Sequence, residues 1–387
     1  PRLWWNRLDA KLRSYGLKPT RADRCCYVLY SSATRKHAHF ADEKTRWEAN
    51  LAENNPSSRI KNGFADPDIP IWEANFGSSR LGGETSRRSE ATSGHSRTPK
   101  LQHDQLEDAL DYLMDPITGS PARNMRVEGI VTIHVDDVFL TGTSQFTRKV
   151  TESLRRDFKI GTEDVNDILF VGQRVRWVDR SDPKKRHIQI DQEAKVEELS
   201  EINFDKSLKD SVTCTADLHR QYRSLLGQIN WLQSRTQFQS CYAFSRCASA
   251  SAGPNMGDLR ALNKLARKIR NEIVCLRFWP LKGSSLRLIG YPDAAFRNNS
   301  DKSSQRGQTI FLAEQRSKDQ VHTRGSLIDY ESQKIKRTVL STTVSELYAF
   351  MKCFGTCQFL RGLWMDISAT AAEIHMRTDA NNLVTTA

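Results

Sequence analysis

Val127-Glu128-Gly129-Ile130-Val131-Thr132-Ile133-His134-Val135-Asp136-Asp137-Val138-Phe139-Leu140-Thr141-Gly142 sets two runs rich in β-branched and aromatic residues on either side of two adjacent aspartates. Such runs predict two strands joined by a tight acidic turn. Neighbouring carboxylates raise each other's pKa unless a cation lies between them, so this turn points to a divalent metal. A strand, an Asp-Asp pair and a second strand is also how a polymerase palm holds one side of a two-metal site. An ordinary Asp-rich hairpin turn fits the same residues, and the rest of the chain has to decide.

Working outward, Pro1 to Tyr15 has Leu3, Trp4, Leu8 and Leu12 at helical spacing, with Gly16 as its cap, and Cys25 to Tyr30 reads as a strand. From Ser31 to about Lys100 periodicity is lost, and Ser78 to Lys100 is too poor in aliphatic residues to order itself. Helical spacing returns over Leu101 to Met114. After the acidic hairpin come a helix over Gln145 to Phe158, a strand over Ile168 to Trp177, and a strand over His187 to Ile190. Arg174, Arg176, Lys184 and Lys185 crowd this second hairpin, as in a phosphate-tracking element or a sheet edge protected by positive charge. Helical patterns fill 192–202 and 219–278, where Arg260, Lys264 and Arg267 form the polar face opposite Leu262, Leu265 and Ile269. That face reads either as solvated or as a nucleic-acid contact.

The last third changes pattern. Leu286 to Tyr291, Gln308 to Leu312 and Ser326 to Tyr330 predict a three-strand meander, followed by a helix over Val344 to Ile367 and a strand over Glu373 to Thr378. Asp293 follows the first strand, Glu346 lies in the first helical turn and Asp379 follows the last strand. Clustered carboxylates of this kind bridge the ions in two-metal phosphodiester hydrolysis. Each also has a plain structural reading: a turn after Pro292, a Thr343-Val344-Ser345-Glu346 capping box, and an Asp379-Ala380-Asn381 turn.

With 58 Lys and Arg against 46 Asp and Glu in 387 residues, the formal charge of +12 favours a polyanionic partner. The eight cysteines show no CxxC pairing, which argues against a zinc ribbon or a disulfide framework. No apolar run approaches the roughly 18 residues of a membrane span, and no signal-peptide pattern is present. The expected location is therefore intracellular, cytoplasmic or nuclear. The ends at Pro1 and Ala387 are those of a fragment on this reading.

These stretches resemble, in order along the chain, the reverse transcriptase and ribonuclease H portion of a copia-type LTR retrotransposon polyprotein. The resemblance is carried by Pro1-Arg2-Leu3-Trp4-Trp5, Ile133-His134-Val135-Asp136-Asp137-Val138, Tyr222-Arg223-Ser224-Leu225-Leu226-Gly227, Gly290-Tyr291-Pro292-Asp293-Ala294 and Leu340-Ser341-Thr342-Thr343-Val344-Ser345-Glu346-Leu347-Tyr348-Ala349. It covers nearly everything except 31–100, which composition reads as a largely disordered insertion, and it implies an α+β chain: a palm segment beginning at 1–30, palm with both hairpins at 101–205, a helical thumb or connection at 206–282, and a truncated ribonuclease H-like domain at 283–387. It implies that Asp136 and Asp137 are the polymerase pair and that Asp293, Glu346 and Asp379 are nuclease ligands for Mg²⁺ or Mn²⁺. His134 stands where the family has an aromatic residue. The implied partners are an RNA/DNA hybrid or an RNA template with a DNA primer, deoxynucleotides for the intact parent, and the remaining Pol segments. A third palm aspartate and a fourth nuclease ligand are missing on this reading, so the rival expectation is a binding remnant that has lost its chemistry.

Overall fold

A computed structural model describes residues 2–32, 58–62, 125–281, 286–315, 323–368 and 372–380. The chain is α+β, built on three sheets with a helical unit between the second and third. The first sheet joins β1 (Lys18–Pro19), β2 (Cys26–Ser32), β3 (Ser58–Asn62), β4 (Met125–His134), β5 (Asp137–Gly142) and β6 (Ile160–Val165) in the order β1-β2-β4-β5-β3-β6. Alternation along β2 shows why it holds. Tyr27 and Leu29 face α1 (Arg2–Ser14) and α2 (Ser144–Asp157), in one core with Leu8, Leu12 and Phe146. Cys26 and Val28 face the other side and meet Leu363 and Ile367. Both faces are buried, so period-2 alternation here reads as hydrophobic on every residue.

Two glycines set how closely α2 approaches. Gly129 and Gly142 are cross-strand partners, and a Cβ on Gly129 would lie 2.1 Å from the Phe146 ring, while one on Gly142 would lie 2.4 Å from the Glu128 carbonyl oxygen. Thr143 then caps α2 by accepting from the Phe146 backbone N–H at 3.2 Å.

The second sheet, in the order β10-β9-β8-β7, comprises β7 (Asp167–Phe170), β8 (Gln173–Val178), β9 (His187–Asp191) and β10 (Leu276–Phe278). The single strand read over 168–177 is thus two strands. Val171 and Gly172 turn between them with φ of 49° and 69°, the backbone of a two-residue hairpin that glycine favours and valine does not. β10 likewise falls inside the stretch read as helical to 278, because its partner β9 lies more than 80 residues back and leaves no local signal. Within the segment read as an insertion, Ser58–Asn62 forms β3 between β5 and β6, parallel to both. The helix read over Leu101 to Met114 lies outside the described residues.

α3 (Glu193–Glu197), α4 (Ala216–Gln233), α5 (Cys241–Ser249) and α6 (Met256–Asn271) pack around Tyr222, Ile229, Leu259 and Leu262. Tyr222 donates its buried hydroxyl to the Cys247 carbonyl at 2.7 Å, and the Asn263 side chain bonds both backbone groups of Ile202. In the third sheet β11 (Leu286–Ala295), β12 (Gln305–Glu314) and β13 (Gly325–Lys334) form an antiparallel meander, and β14 (Glu373–Met376) joins β11 in parallel. α7 (Thr342–Ser368) covers one face through Cys353, Cys357 and Trp364 against Leu288 and Ile310.

The far end of α7 docks on the first sheet. Asp366, buried, accepts from the Arg21 guanidinium at 2.7 and 2.6 Å and from the backbone N–H groups of Arg21 and Ala22 at 2.8 and 3.3 Å. Tyr30 donates to the Asp366 carbonyl oxygen. Among the described residues no helix is long and apolar enough to cross a membrane.

Candidate metal centre and its groove

Three strand and helix ends converge at one end of the third sheet. Asp293 lies within β11, opposite Gly307 of β12, rather than in a turn after it. Asp379 follows β14, whose ladder is extended by the Arg377 N–H donating to the Gly290 carbonyl at 2.8 Å. Glu346 lies in the first turns of α7. The cap there is Ser341, whose hydroxyl accepts from the Val344 N–H at 3.2 Å, so Glu346 is not the closing member of a box begun at Thr343. Its side chain is left to face the two aspartates.

Ligand oxygens of Asp293, Glu346 and Asp379 all lie within 4.8 Å of one another. Glu346 is 9% exposed while the aspartates are open to solvent. Burial, then the charges of Asp293 and Asp379, push the Glu346 carboxyl above its ordinary value, against a lowering hydrogen bond from the Ala294 backbone. A divalent cation bound among the three carboxyls would offset the mutual repulsion that contributes to this shift. The donor set is all hard oxygen, which suits Mg²⁺ or Mn²⁺; the residues fit the ion the family resemblance implies.

The acidic hairpin has its own geometry. β4 and β5 pair from Gly129–Gly142 to His134–Asp137, leaving Val135 and Asp136 at the tip. Val135 takes φ of 55° and is 73% exposed, a costly conformation for a β-branched residue. Asp136 is exposed and Asp137 half-buried. Among the described residues the only group of three or more metal-type ligands this close is the Asp293 set, so no third carboxylate joins Asp136 and Asp137 there.

The basic residues are placed unevenly. Arg174 forms a two-bond pair with Asp167 at 2.8 and 2.6 Å, and Arg176 lies 3.2 Å from buried Asp191. Arg260 bonds Asp210 and the Lys206 and Leu208 carbonyls, and Arg267 forms a two-bond pair with Glu201. Those four charges are compensated within the chain. Lys184 and Lys264 project from exposed positions, and Lys185 is 3.9 Å from Asp182.

A groove of about 540 Å³ runs from the carboxylates across the uncovered face of the third sheet to the helical unit. Phe238 and Tyr242 line one wall; Tyr291, Thr309 and Tyr330 line the other, and Arg377 stands beside Asp379. Sequence reasoning passed over all of these. Phe238 and Tyr242 fall inside the stretch read as helical over 219–278, and nothing local says that a distant sheet faces them.

No protein-family model and no curated protein sequence matches the chain. A solved structure of the foamy viral protease-reverse transcriptase in complex with RNA/DNA hybrid is similar to it at a TM-score of 0.37 and 14% identity, over 73% of this chain and 33% of that one. The chain therefore spans about a third of that protein's length.

Proposed function

We propose that this chain comes from a copia-type LTR retrotransposon Pol polyprotein and that its C-terminal unit hydrolyses the RNA strand of an RNA/DNA hybrid. The observation that carries the reading is the convergence of Asp293, Glu346 and Asp379 from three separate elements. Those residues would hold Mg²⁺ or Mn²⁺, which supplies a water of lowered pKa and shields the leaving oxygen. The chain's own part is to fix three negative oxygens at one end of a rigid sheet. Glu346, held by α7 and least solvated, has the most to gain from the ion.

For the other catalytic set, Asp136 and Asp137 would be the polymerase pair of the intact parent, acting on an RNA template, a DNA primer and deoxynucleotides. With no third carboxylate beside them among the described residues, we assign nucleotide transfer to the parent and not to this chain. Lys184, Lys185 and Lys264, with Arg174, Arg176, Arg260 and Arg267 in lesser degree, would track phosphates without reading sequence.

The deciding experiment is Mg²⁺- or Mn²⁺-dependent cleavage of a labelled RNA/DNA hybrid, with Asp293→Asn and Glu346→Gln as controls. Cleavage abolished in both variants is the expected result. Metal-independent cleavage, or cleavage unaffected by either change, would refute the assignment. Salt-sensitive hybrid binding with no turnover would favour the alternative of a catalytically degenerate binding remnant.

A further inference from the structure

The groove leading to the carboxylates is lined with more aromatic surface than a phosphate-tracking duplex site needs. Phe238, Tyr242 and Tyr291 are 38%, 46% and 41% exposed, and all three open into it. They are braced rather than loose: Phe238 meets Tyr330 at 5.8 Å and Tyr291 meets Phe311 at 6.0 Å, both edge-on. Strand register fixes where the aromatic row lies relative to the acidic end. Tyr291, Thr309 and Tyr330 are direct cross-strand neighbours, and the next row on the same face is Asp293, Gly307 and Ser332. Two residues of strand set the row of Tyr291 about 7 Å along β11 from the row of Asp293. Gly307 contributes no side chain, and a Cβ there would meet nothing nearer than the Glu331 carbonyl oxygen at 3.6 Å, so the floor beside Asp293 is hollow. Arg377 is exposed at the same end and makes no ion pair with another described residue.

A paired duplex hides its base faces in the stack and presents only sugars, phosphates and base edges. Aromatic platforms reward bases that are unstacked. We propose that this groove takes a single-stranded segment of nucleic acid, with unstacked bases against Phe238, Tyr242 and Tyr291 and a phosphate against Arg377. The strand is thereby delivered to the acidic cluster beside a gap or frayed end. This rests on the nuclease reading only for what happens at the carboxylates; the binding preference stands apart from it.

The test uses the full chain and fluorescence anisotropy in Ca²⁺, with two probes: a continuous RNA/DNA hybrid, and the same hybrid with a gap in its DNA strand that bares several ribonucleotides. The gapped probe is expected to bind at least about 10-fold tighter. Tyr242→Ala and Phe238→Ala should each weaken it by roughly 5- to 100-fold, collapsing the ratio of the two affinities, while Tyr242→Phe retains the ring and the ratio. Arg377→Ala should lower the salt slope by about one. Equal affinity for the two probes, or a ratio unmoved by the alanine changes, overturns the proposal. Cleavage of the continuous hybrid, measured in parallel in Mg²⁺, reports on the nuclease reading alone, so either can fail while the other stands.

Discussion

Replacing Asp366 with alanine removes the acceptor that ties α7 to the first sheet. Its carboxylate is 1% exposed and takes two bonds from the Arg21 guanidinium and two from backbone N–H groups. Truncating one member of a buried ion pair costs about 3–5 kcal/mol, and each N–H left unsatisfied costs about 1–3 kcal/mol. Arg21 remains 33% exposed and rehydrates, which puts Asp366→Ala at the lower end, about 3 kcal/mol. Asp366→Asn keeps the shape and one acceptor oxygen and should cost about half as much. Multi-unit chains do not melt as one transition, so the assay is amide hydrogen exchange read locally. Exchange at Val28 and Ile130, which pack against Leu363 and Ile367, should rise by about 100-fold at this cost, while Ile310 in the third sheet stays within a few-fold. An Arg21→Ala and Asp366→Ala double-mutant cycle should show a coupling of about 2 kcal/mol. Exchange at Val28 unchanged within twofold, or a coupling near zero, would refute the claim that this contact holds the units together.

Other outcomes follow from features already described. Gly142→Ala combines a φ of 154° with a Cβ 2.4 Å from a backbone oxygen and should cost more than about 3 kcal/mol in urea unfolding followed at α2, overpacking alone being worth about 1–3. Glu346 has its folded pKa raised above 4.5, so without metal the fold loses stability as pH rises from 4.5 through that raised value and shows no such penalty below it. Mg²⁺ should remove the pH dependence, and Asp293→Asn should shrink it, both read as melting temperature against pH. Lys264→Ala should reduce the salt dependence of hybrid binding more than Arg267→Ala does, because Arg267 already pairs with Glu201.

What the sequence declared, it declared through local pattern. The acidic hairpin, α2 and the meander of β11 to β13 all announce themselves by period and by turn residues within ten positions. The readings that shifted depended on partners far away in the chain. β10 is a strand because β9 offers it an edge. β3 lies in a polar stretch with no alternation and owes its conformation to β5 and β6 on either side. Val171 betrays no turn by its type; only the left-handed backbone it shares with Gly172 does. At the candidate centre the three carboxylates were legible by their order at element ends, whereas the pairing of Arg174, Arg260 and Arg267 with Asp167, Asp210 and Glu201 was not, because two of these partners come from other segments.

The cysteines allow each unit to be watched separately. Cys26 lies where α7 meets the first sheet, Cys247 in the helical core, and Cys353 and Cys357 beneath the third sheet, all buried. Burial pushes Cys26 up to about 12 and Cys247 up to about 11, so neither is a thiolate at neutral pH while its surroundings are closed. With the half-buried Cys25, Cys214 and Cys275, and Cys241, which lines the groove, changed to serine, alkylation by iodoacetamide would proceed only through opening. Mass spectrometry of the labelled peptides would then give three independent clocks in one native chain, showing which unit loosens first and whether nucleic acid slows one of them or all.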